Sequence, residues 1–233
     1  MLLKNKSVLG IIPARFGSKR IFKKNLKIFN KKPLIYWTIK EAKKSSLIDK
    51  TLVTSDSNLI LKKAKEYKIN FCIKRPKSLA NSNADTWNVV RHAINNLKKK
   101  KITFDYVVLL QPTSPLRKSY HINECLQRLQ QNDTGIVSIN RNFKPIEWQR
   151  NLFKKKNFSF FKSGIEKYKK NGRVNSTYII NGAIYAFKTK EIFKKNFLFK
   201  RTVKTYVMKR QHSIDIDTIL EFRIAEFLNK NFL

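Results

Sequence analysis

Short apolar runs alternate along the chain with segments whose apolar residues recur at helical spacing. The first run, Ser7 to Pro13, is continuous and closed by proline, which is typical of a strand covered on both faces of a parallel sheet. Residues Pro33 to Lys44 then show helical spacing with a proline near the first turn. The pattern therefore predicts a strand followed by a helix.

The same alternation continues towards the middle of the chain. Further strands are predicted over Lys50–Thr54, Ile69–Ile73, Tyr106–Leu110 and Gly135–Ile139, and further helices over Asn58–Lys68, Thr86–Leu97 and Ile122–Leu129. Repeated strand–helix–strand units predict an α/β fold with a doubly wound, mostly parallel sheet and helices on both faces.

Periodicity is lost from about Arg141 to Asn175 and resumes at Thr177. The aperiodic stretch is rich in aromatic residues, which need burial, and a second subunit could provide it. We expect one domain over residues 1–233 with an inserted arm at about 141–176. After the arm, Thr177–Phe187 is ordered and a terminal helix runs from about Thr218 to Leu228, with one apolar face formed by Ile219, Phe222, Ala225 and Leu228.

Charge is the outstanding feature of the composition. The chain has 233 residues, with 51 Lys and Arg against 15 Asp and Glu, giving a formal charge of +36. Because 42% of the residues are hydrophobic, a disordered basic tail is excluded. A basic nucleic-acid-binding protein is the rival from another class, but the lysines are spread along the chain, and AT-rich codons account for many of them. We expect no nucleic-acid partner.

The cysteines and the N-terminal sequence indicate the cellular compartment of the protein. Cys72 and Cys125 are far apart and lack the spacing of a zinc site or a disulfide framework. The first apolar run is interrupted by Gly10 and Pro13, and no stretch approaches the length of a membrane span. We predict a cytoplasmic protein with no membrane association.

The loop after the first strand is the first candidate site. Glycine and serine at Gly17 and Ser18 allow backbone N–H groups to face phosphate oxygens at the carboxyl edge of the sheet. The surrounding cations make this loop a candidate polyphosphate cradle; a solvated basic loop is the alternative. The cations are Arg15, Lys19, Arg20 and Lys24.

A pair of carboxylates precedes the terminal helix. On a strand, Asp215 and Asp217 would point to the same face about 6–7 Å apart, with the neighbouring isoleucines directed into the core. Such a pair can hold a hard cation. The alternative is a helix cap formed by Asp217 or Thr218, completed by Glu221.

A third candidate follows the strand predicted at Tyr106–Leu110. Two prolines restrict the loop LQPTSPLR, which would aim Gln111 over the carboxyl edge of the sheet. A plain tight turn fits the same residues. The histidines His92, His121 and His212 are assigned no role.

Six segments, in order, resemble the cytidylyltransferases that activate nonulosonic acids, of which the CMP-sialic acid synthetases are the type. They are IIPARFGSKRIFKKN, TSDS (Thr54–Ser57), KRPKSLA, LQPTSPLR, NGAIY and SIDIDT. The resemblance spans about residues 8 to 228. It implies a Rossmann-like nucleotide-diphospho-sugar transferase fold, a homodimer paired through the arm, and transfer of CMP from CTP to a nine-carbon sugar acid.

The resemblance also implies roles for matching residues. Cations at Arg15, Lys19 and Lys24 would hold the CTP phosphates together with Gly17 and Ser18, and the cytidine would contact Asn25, Arg75 and Thr86. Asp215 and Asp217 match the pair that binds Mg²⁺, and Gln111 matches a sugar contact.

Two departures bear on the acceptor. Ile179 stands where sialic acid members commonly have Arg, so Arg173 is the nearest candidate to meet the sugar carboxylate. Phe22 and Lys23 replace the Pro and Gly of the usual PGKN stretch. Legionaminic, pseudaminic and Kdo-like acids are the alternative acceptors, and an inactive homologue is a further alternative.

Overall fold

The structure is a computed structural model, which describes residues 3, 5–81, 84–142, 166 and 177–232. The strands in this part of the chain are β1 (Val8–Pro13), β2 (Ile28–Phe29), β3 (Lys32–Pro33), β4 (Lys50–Ser55), β5 (Phe71–Lys74), β6 (Tyr106–Leu109), β7 (Gly135–Asn142), β8 (Thr177–Lys188) and β9 (Val203–Val207). The α-helices are α1 (Leu34–Lys44), α2 (Asn58–Glu66), α3 (Thr86–Lys98), α4 (Ser119–Gln127) and α5 (Ile219–Asn231).

One seven-stranded sheet organises these elements, with strand order β5-β4-β1-β6-β8-β7-β9. Within it β8 runs antiparallel to its neighbours β6 and β7, whereas the other pairings are parallel. The predicted mostly parallel α/β sheet is confirmed. The strands β2 and β3 form a separate small hairpin.

Side chains that alternate along the strands pack in two hydrophobic cores, one on each face of the sheet. Val8 and Ile12 of β1 pack in one cluster with residues of α1, α2 and α4. Leu9 and Ile11 pack in the other with residues of α3. Side chains two apart in a strand share a face, so the continuous apolar run of β1 serves both layers, as predicted. Helices therefore cover both faces.

The structure corrects two details of the prediction. The segment before α5 is not a strand: residues 213–217 are irregular, and only Ile216 of its two isoleucines is fully buried. On α5, Phe222 and Ala225 are buried as predicted, but Ile219 is half exposed because it lies in the first turn, beyond the contact with the third core cluster.

The strand β9 was not predicted from the sequence. Its sequence, VKTYV, has no apolar alternation and only Tyr206 is buried; the strand lies at the sheet edge, where it pairs in parallel with β7. The inserted arm proposed at about 141–176 lies outside the described residues, apart from Arg141, Asn142 and Glu166. Its extent stays a prediction.

Over the described ranges, no helix combines the length and the apolar character needed to cross a bilayer.

Candidate active site

A cleft of about 260 Å³ opens at the carboxyl edge of the sheet, lined by residues at or just after the ends of β1, β5 and β6. It brings together residues that lie up to 204 positions apart in the chain, from Pro13 to Asp217. Of the predicted site residues, the lining includes Arg15, Ser18, Lys24, Asn25, Arg75, Thr86, Gln111, Asp215 and Asp217. Gly17 and Lys19 belong to the same loop, are exposed and do not line this cleft. Arg173 lies outside the described residues.

The loop after β1 is fixed by hydrogen bonds from its own main chain. The Ala14 N–H donates to Thr54 O at 3.0 Å, and the Phe16 N–H donates to Asp56 Oδ1 at 2.9 Å. The buried Asn25 side chain donates to Arg15 O at 2.8 Å. These contacts hold the backbone that carries Arg15 and Ser18 at the rim of the cleft.

Where the PGKN stretch has glycine, this chain keeps the left-handed backbone conformation that favours glycine. Lys23 occupies that position with φ 48° and ψ 40°, the left-handed region that glycine enters at least cost. For other residues this conformation costs about 1–2 kcal/mol. The Lys23 ammonium lies 5.3 Å from the Phe16 ring centroid and 4.8 Å from that of Phe22, contacts that offset part of this cost.

Lys24 begins the next turn, a 3-10 helix over Lys24–Leu26, and points into the cleft. Its side chain is 12% exposed, its ammonium donates to Ile216 O, and Nζ lies 3.6 Å from Asp217 Oδ1. Burial lowers the pKa of Lys24, while the charges of Asp217 and Asp215 act in the opposite direction. A cation is therefore held next to the acidic pair.

The acidic pair lies on the irregular segment before α5. Ile216, between the two carboxylates, is fully buried, and its N–H donates to Thr113 O at 2.8 Å. Asp217 Oδ2 lies 3.0 Å from Arg20 Nη1. The pKa of Asp215 is raised, first because the cleft walls displace water from its carboxylate, and also because of the charge of Asp217.

The helix-cap alternative for this segment is confirmed for Thr218, completed by Glu221, and not for Asp217. Thr218 and Glu221 form the capping box of α5, and Glu221 Oε2 accepts the Asp217 N–H at 2.8 Å. Because a hydroxyl and a glutamate satisfy the helix start, the side-chain carboxylates of Asp215 and Asp217 remain available to the cleft.

A glycine of the NGAIY segment brings β8 against the site. Gly182 has φ +74°, and a Cβ there would lie 3.3 Å from Asp215 Oδ2 and 3.4 Å from Gln111 Oε1. Any side chain would be both strained and crowded against these two groups. The preceding Asn181 is buried; its Oδ1 accepts from Ser138 Oγ at 2.6 Å and its Nδ2 donates to Ser213 Oγ at 3.0 Å. Asn181 therefore ties β7 and β8 to the acidic segment.

A fully buried arginine supports the third predicted loop. Arg117 Nη1 donates to Ala183 O at 2.8 Å and to Gln111 O at 3.3 Å, joining the end of β6 to β8. Burial lowers the pKa of Arg117 to about 9. The LQPTSPLR loop is therefore more than a tight turn, because it positions the backbone of Gln111 over the sheet edge.

Another wall of the cleft combines polar and apolar side chains, namely Arg75, Leu79, Thr86 and Val89. Arg75 is buried, its N–H donates to Ser55 O at 2.9 Å, and its Nε has no hydrogen-bond partner within the described part of the chain. Burial lowers the pKa of Arg75, and Asp56 opposes that shift. Leu79 and Val89 add apolar surface beside Thr86. Such a wall suits a flat heterocycle with a polar edge.

Sequence reasoning missed several groups that build this cleft. Asp56, Thr113, Arg117 and Asn181 received no role of their own, although they stand in the segments TSDS, LQPTSPLR and NGAIY. Their position inside those segments was the available signal. The contacts they make join residues remote in sequence, so spacing could not identify them.

Known proteins similar to this chain include cytidylyltransferases and a CMP-sugar acid synthase. The family model "Cytidylyltransferase" matches residues 9–229. N-acylneuraminate cytidylyltransferase of Escherichia coli is 35% identical over 94% of this chain, which spans about half, 51%, of that relative's length. Pseudaminic acid cytidylyltransferase of Campylobacter jejuni is 31% identical, over 95% of this chain and 96% of the relative. CMP-N,N'-diacetyllegionaminic acid synthase of Legionella pneumophila is 32% identical, over 95% of both chains.

Solved structures share the fold. CMP:2-keto-3-deoxy-manno-octonic acid synthetase complexed with CTP superposes with a TM-score of 0.68 at 13% identity, covering 97% of this chain and 100% of that one. The 4-diphosphocytidyl-2C-methyl-D-erythritol synthase of Anaerococcus prevotii gives 0.66 at 13% identity, over 99% of both chains. These structures show the fold, and the match of the family model over residues 9–229 shows that the chain belongs to the cytidylyltransferase family.

Proposed function

We propose that this protein transfers CMP from CTP to the anomeric hydroxyl of a nonulosonic acid and releases pyrophosphate. The observation that carries the proposal is the meeting of Arg15 and Lys24 with Asp215 and Asp217 in one cleft. This combination suits a nucleoside triphosphate and a hard cation at the same point. The names of the relatives at 31–35% identity support a nine-carbon sugar acid as acceptor.

The reaction is an in-line displacement at phosphorus. The anomeric oxygen attacks the α-phosphorus of CTP, the bond from that phosphorus to the bridging oxygen breaks, and pyrophosphate leaves. Such a transfer needs positioning and charge neutralisation more than a covalent nucleophile. Arg15 and Lys24, with Lys19 from the same loop, neutralise the charge that accumulates on the leaving phosphates. The hydroxyl proton passes to solvent water, and we assign it to no side chain.

Mg²⁺ fits the acidic pair. Asp215 and Asp217 offer hard oxygen donors on a segment anchored by Ile216. No cluster of three or more potential ligand side chains lies within the residues described. In this proposal the protein contributes two carboxylates, as is common where Mg²⁺ is shared with substrate phosphates. Bound there, Mg²⁺ supplies Lewis-acid polarisation of a phosphate oxygen. Lys24 keeps Asp217 oriented towards the cleft.

Nucleotide and acceptor occupy opposite sides of the acidic pair in this proposal. Asn25, Arg75 and Thr86 lie on the cytidine side, and Gln111 lies on the sugar side beside Gly182. N-acetylneuraminate is the first acceptor to test, with legionaminic and pseudaminic acids next. Ile179, half exposed on β8, supplies no charge for the sugar carboxylate, and Arg173 is retained as its candidate partner.

Assembly and location belong to the same proposal. Exposed apolar surface lies at the start of β8, on Tyr178, Ile179 and Ile180. A homodimer would cover this surface. Both described cysteines are free thiols, in keeping with a reducing cytoplasm, where CTP is available.

A substrate panel tests the proposal. Purified protein is incubated with Mg²⁺, each of the four nucleoside triphosphates and a set of eight- and nine-carbon sugar acids, and pyrophosphate release is recorded. We expect release with CTP and a nine-carbon acid, and none without the acid. If no pair releases pyrophosphate while the protein retains nucleic acid in a salt-dependent manner, the binding-protein alternative is favoured instead.

A further inference from the structure

The carboxyl end of β4 touches two separate parts of the cleft. Thr54 O accepts the Ala14 N–H at 3.0 Å, which ties it to the phosphate loop. Ser55 O accepts the Arg75 N–H at 2.9 Å, which ties it to the cytidine side. This strand end is therefore the shared support of both halves of the nucleotide site.

Asp56 extends this support with a side chain. Its Oδ1 accepts the Phe16 N–H at 2.9 Å and lies 3.9 Å from Arg75 Nη2. The Asp56 side chain is 20% exposed and that of Arg75 only 4%. One carboxylate oxygen therefore faces both the backbone of the phosphate loop and the guanidinium of the cytidine side, while Asp56 itself does not line the cleft.

A carboxylate in this place has an electrostatic cost. It lies beside a site for a polyanion, where an unpaired negative charge would repel the ligand. Its two contacts direct that charge inwards, to a main-chain donor and to a buried guanidinium. Charge-assisted contacts of this kind fix geometry more strongly than neutral ones. The position is therefore explained if Asp56 organises the groups that touch the nucleotide.

We propose that Asp56 is a positioning residue that couples the phosphate loop to the cytidine side, so that one carboxylate sets both triphosphate affinity and the choice of base. The proposal rests on the proposed function, since it assumes that the cleft binds CTP. Asp56 acts through Arg75 and through the backbone of Phe16, with no contact of its own to the substrate.

Two substitutions separate its contacts. Asp56→Asn retains an oxygen that can accept the Phe16 N–H but removes the charge next to Arg75. Asp56→Ala removes both. A charge-assisted hydrogen bond corresponds to about a 10- to 100-fold change in affinity. We expect Asp56→Ala to raise the Kd and KM for CTP by about that factor with a much smaller change in kcat, and Asp56→Asn to reduce mainly the preference for CTP over UTP.

Asp49 provides a matched control. Its Oδ2 accepts the Val8 N–H at 2.6 Å, so it is also a carboxylate that holds main-chain N–H of the β1 region, but at the opposite, amino edge of the sheet. Asp49→Ala should lower thermal stability while leaving the Kd for CTP and the CTP/UTP ratio unchanged. A purely structural role for Asp56 would give the same behaviour as Asp49→Ala.

The route through Arg75 is tested in a second background. In Arg75→Ala protein, Asp56→Asn should have no further effect on the CTP/UTP ratio, because the group through which it acts is gone. An undiminished effect in that background would overturn the route.

The measurement is calorimetric titration of folded wild type and variants with CTP and with UTP, accompanied by steady-state kinetics. If wild type neither binds CTP nor releases pyrophosphate, the proposed function fails. If wild type does both and Asp56→Ala matches Asp49→Ala in CTP affinity and base preference, the positioning role of Asp56 is overturned while the proposed function stands.

Discussion

Replacing Asp215 by Asn is expected to lower CMP-sugar formation by about 10²–10³-fold, the usual effect of removing one electrostatic group from a reacting centre. The substitution keeps the size of the side chain and removes a charge that would help to hold Mg²⁺. It should also abolish the response of the rate to added Mg²⁺. The measurement is pyrophosphate release against Mg²⁺ concentration for wild type and variant.

Stability should change in the opposite direction to activity. The pKa of Asp215 is raised in the folded protein, so at pH values above both its folded and unfolded pKa the ionised carboxylate destabilises the fold. The neutral amide removes that effect, and Asp215→Asn should unfold at the same or a higher temperature than wild type near neutral pH. Asp105→Asn, at the amino edge of the sheet beside Ser7, is the control that should retain turnover. Near wild-type turnover in Asp215→Asn would contradict the assignment.

Replacing Lys24 by Met is expected to reduce kcat/KM for CTP by about 10²-fold. Its ammonium is largely buried and is held beside Asp217 and Ile216 O, so its charge is preorganised for phosphate at the acidic pair. Methionine keeps the apolar stem, so the effect reports the charge. Initial rates at varied CTP measure it.

Substitutions of Lys19 and Lys27 provide a comparison for the loss of activity expected of Lys24→Met. Lys19→Ala should also lose CTP affinity and rate, but less than Lys24→Met, because Lys19 lies on the exposed side of the same loop. Lys27→Ala, an exposed residue over the Phe222 ring, should leave kcat/KM unchanged. If all three variants lost activity equally, overall positive charge rather than a built site would account for CTP binding.

The sequence predicted the parts of the fold that depend on local pattern. The apolar runs of β1 and β6 reveal central strands because both faces of each strand need apolar side chains. The edge strand β9 escaped this reasoning, because Lys204 and Thr205 are both exposed and only Tyr206 of its apolar residues is buried. The segment with Asp215 also alternates like a strand, but it pairs with no other strand of the described residues and is anchored by the buried Ile216, whose N–H donates to Thr113 O.

The site residues also fall into those recognisable from local sequence and those whose contacts depend on the fold. Motif reading identified Arg15, Lys24 and the acidic pair, because each stands in a compact segment with distinctive chemistry. It could not identify Asp56 or Asn181, whose partners are brought near only by the sheet. The charge of +36 gave little guidance, because a few cations face the cleft and the rest have no assigned ligand.

Labelled CTP distinguishes transfer of the CMP group from transfer of a phosphate and from hydrolysis. Wild-type protein is incubated with Mg²⁺, the acceptor selected by the substrate panel, and CTP labelled at either the α- or the γ-phosphorus. We expect the α-label to move to the sugar product in step with pyrophosphate release, and the γ-label to leave with the pyrophosphate. Appearance of the γ-label on the sugar, or release of the α-label as free CMP without a sugar product, would contradict transfer of the CMP group.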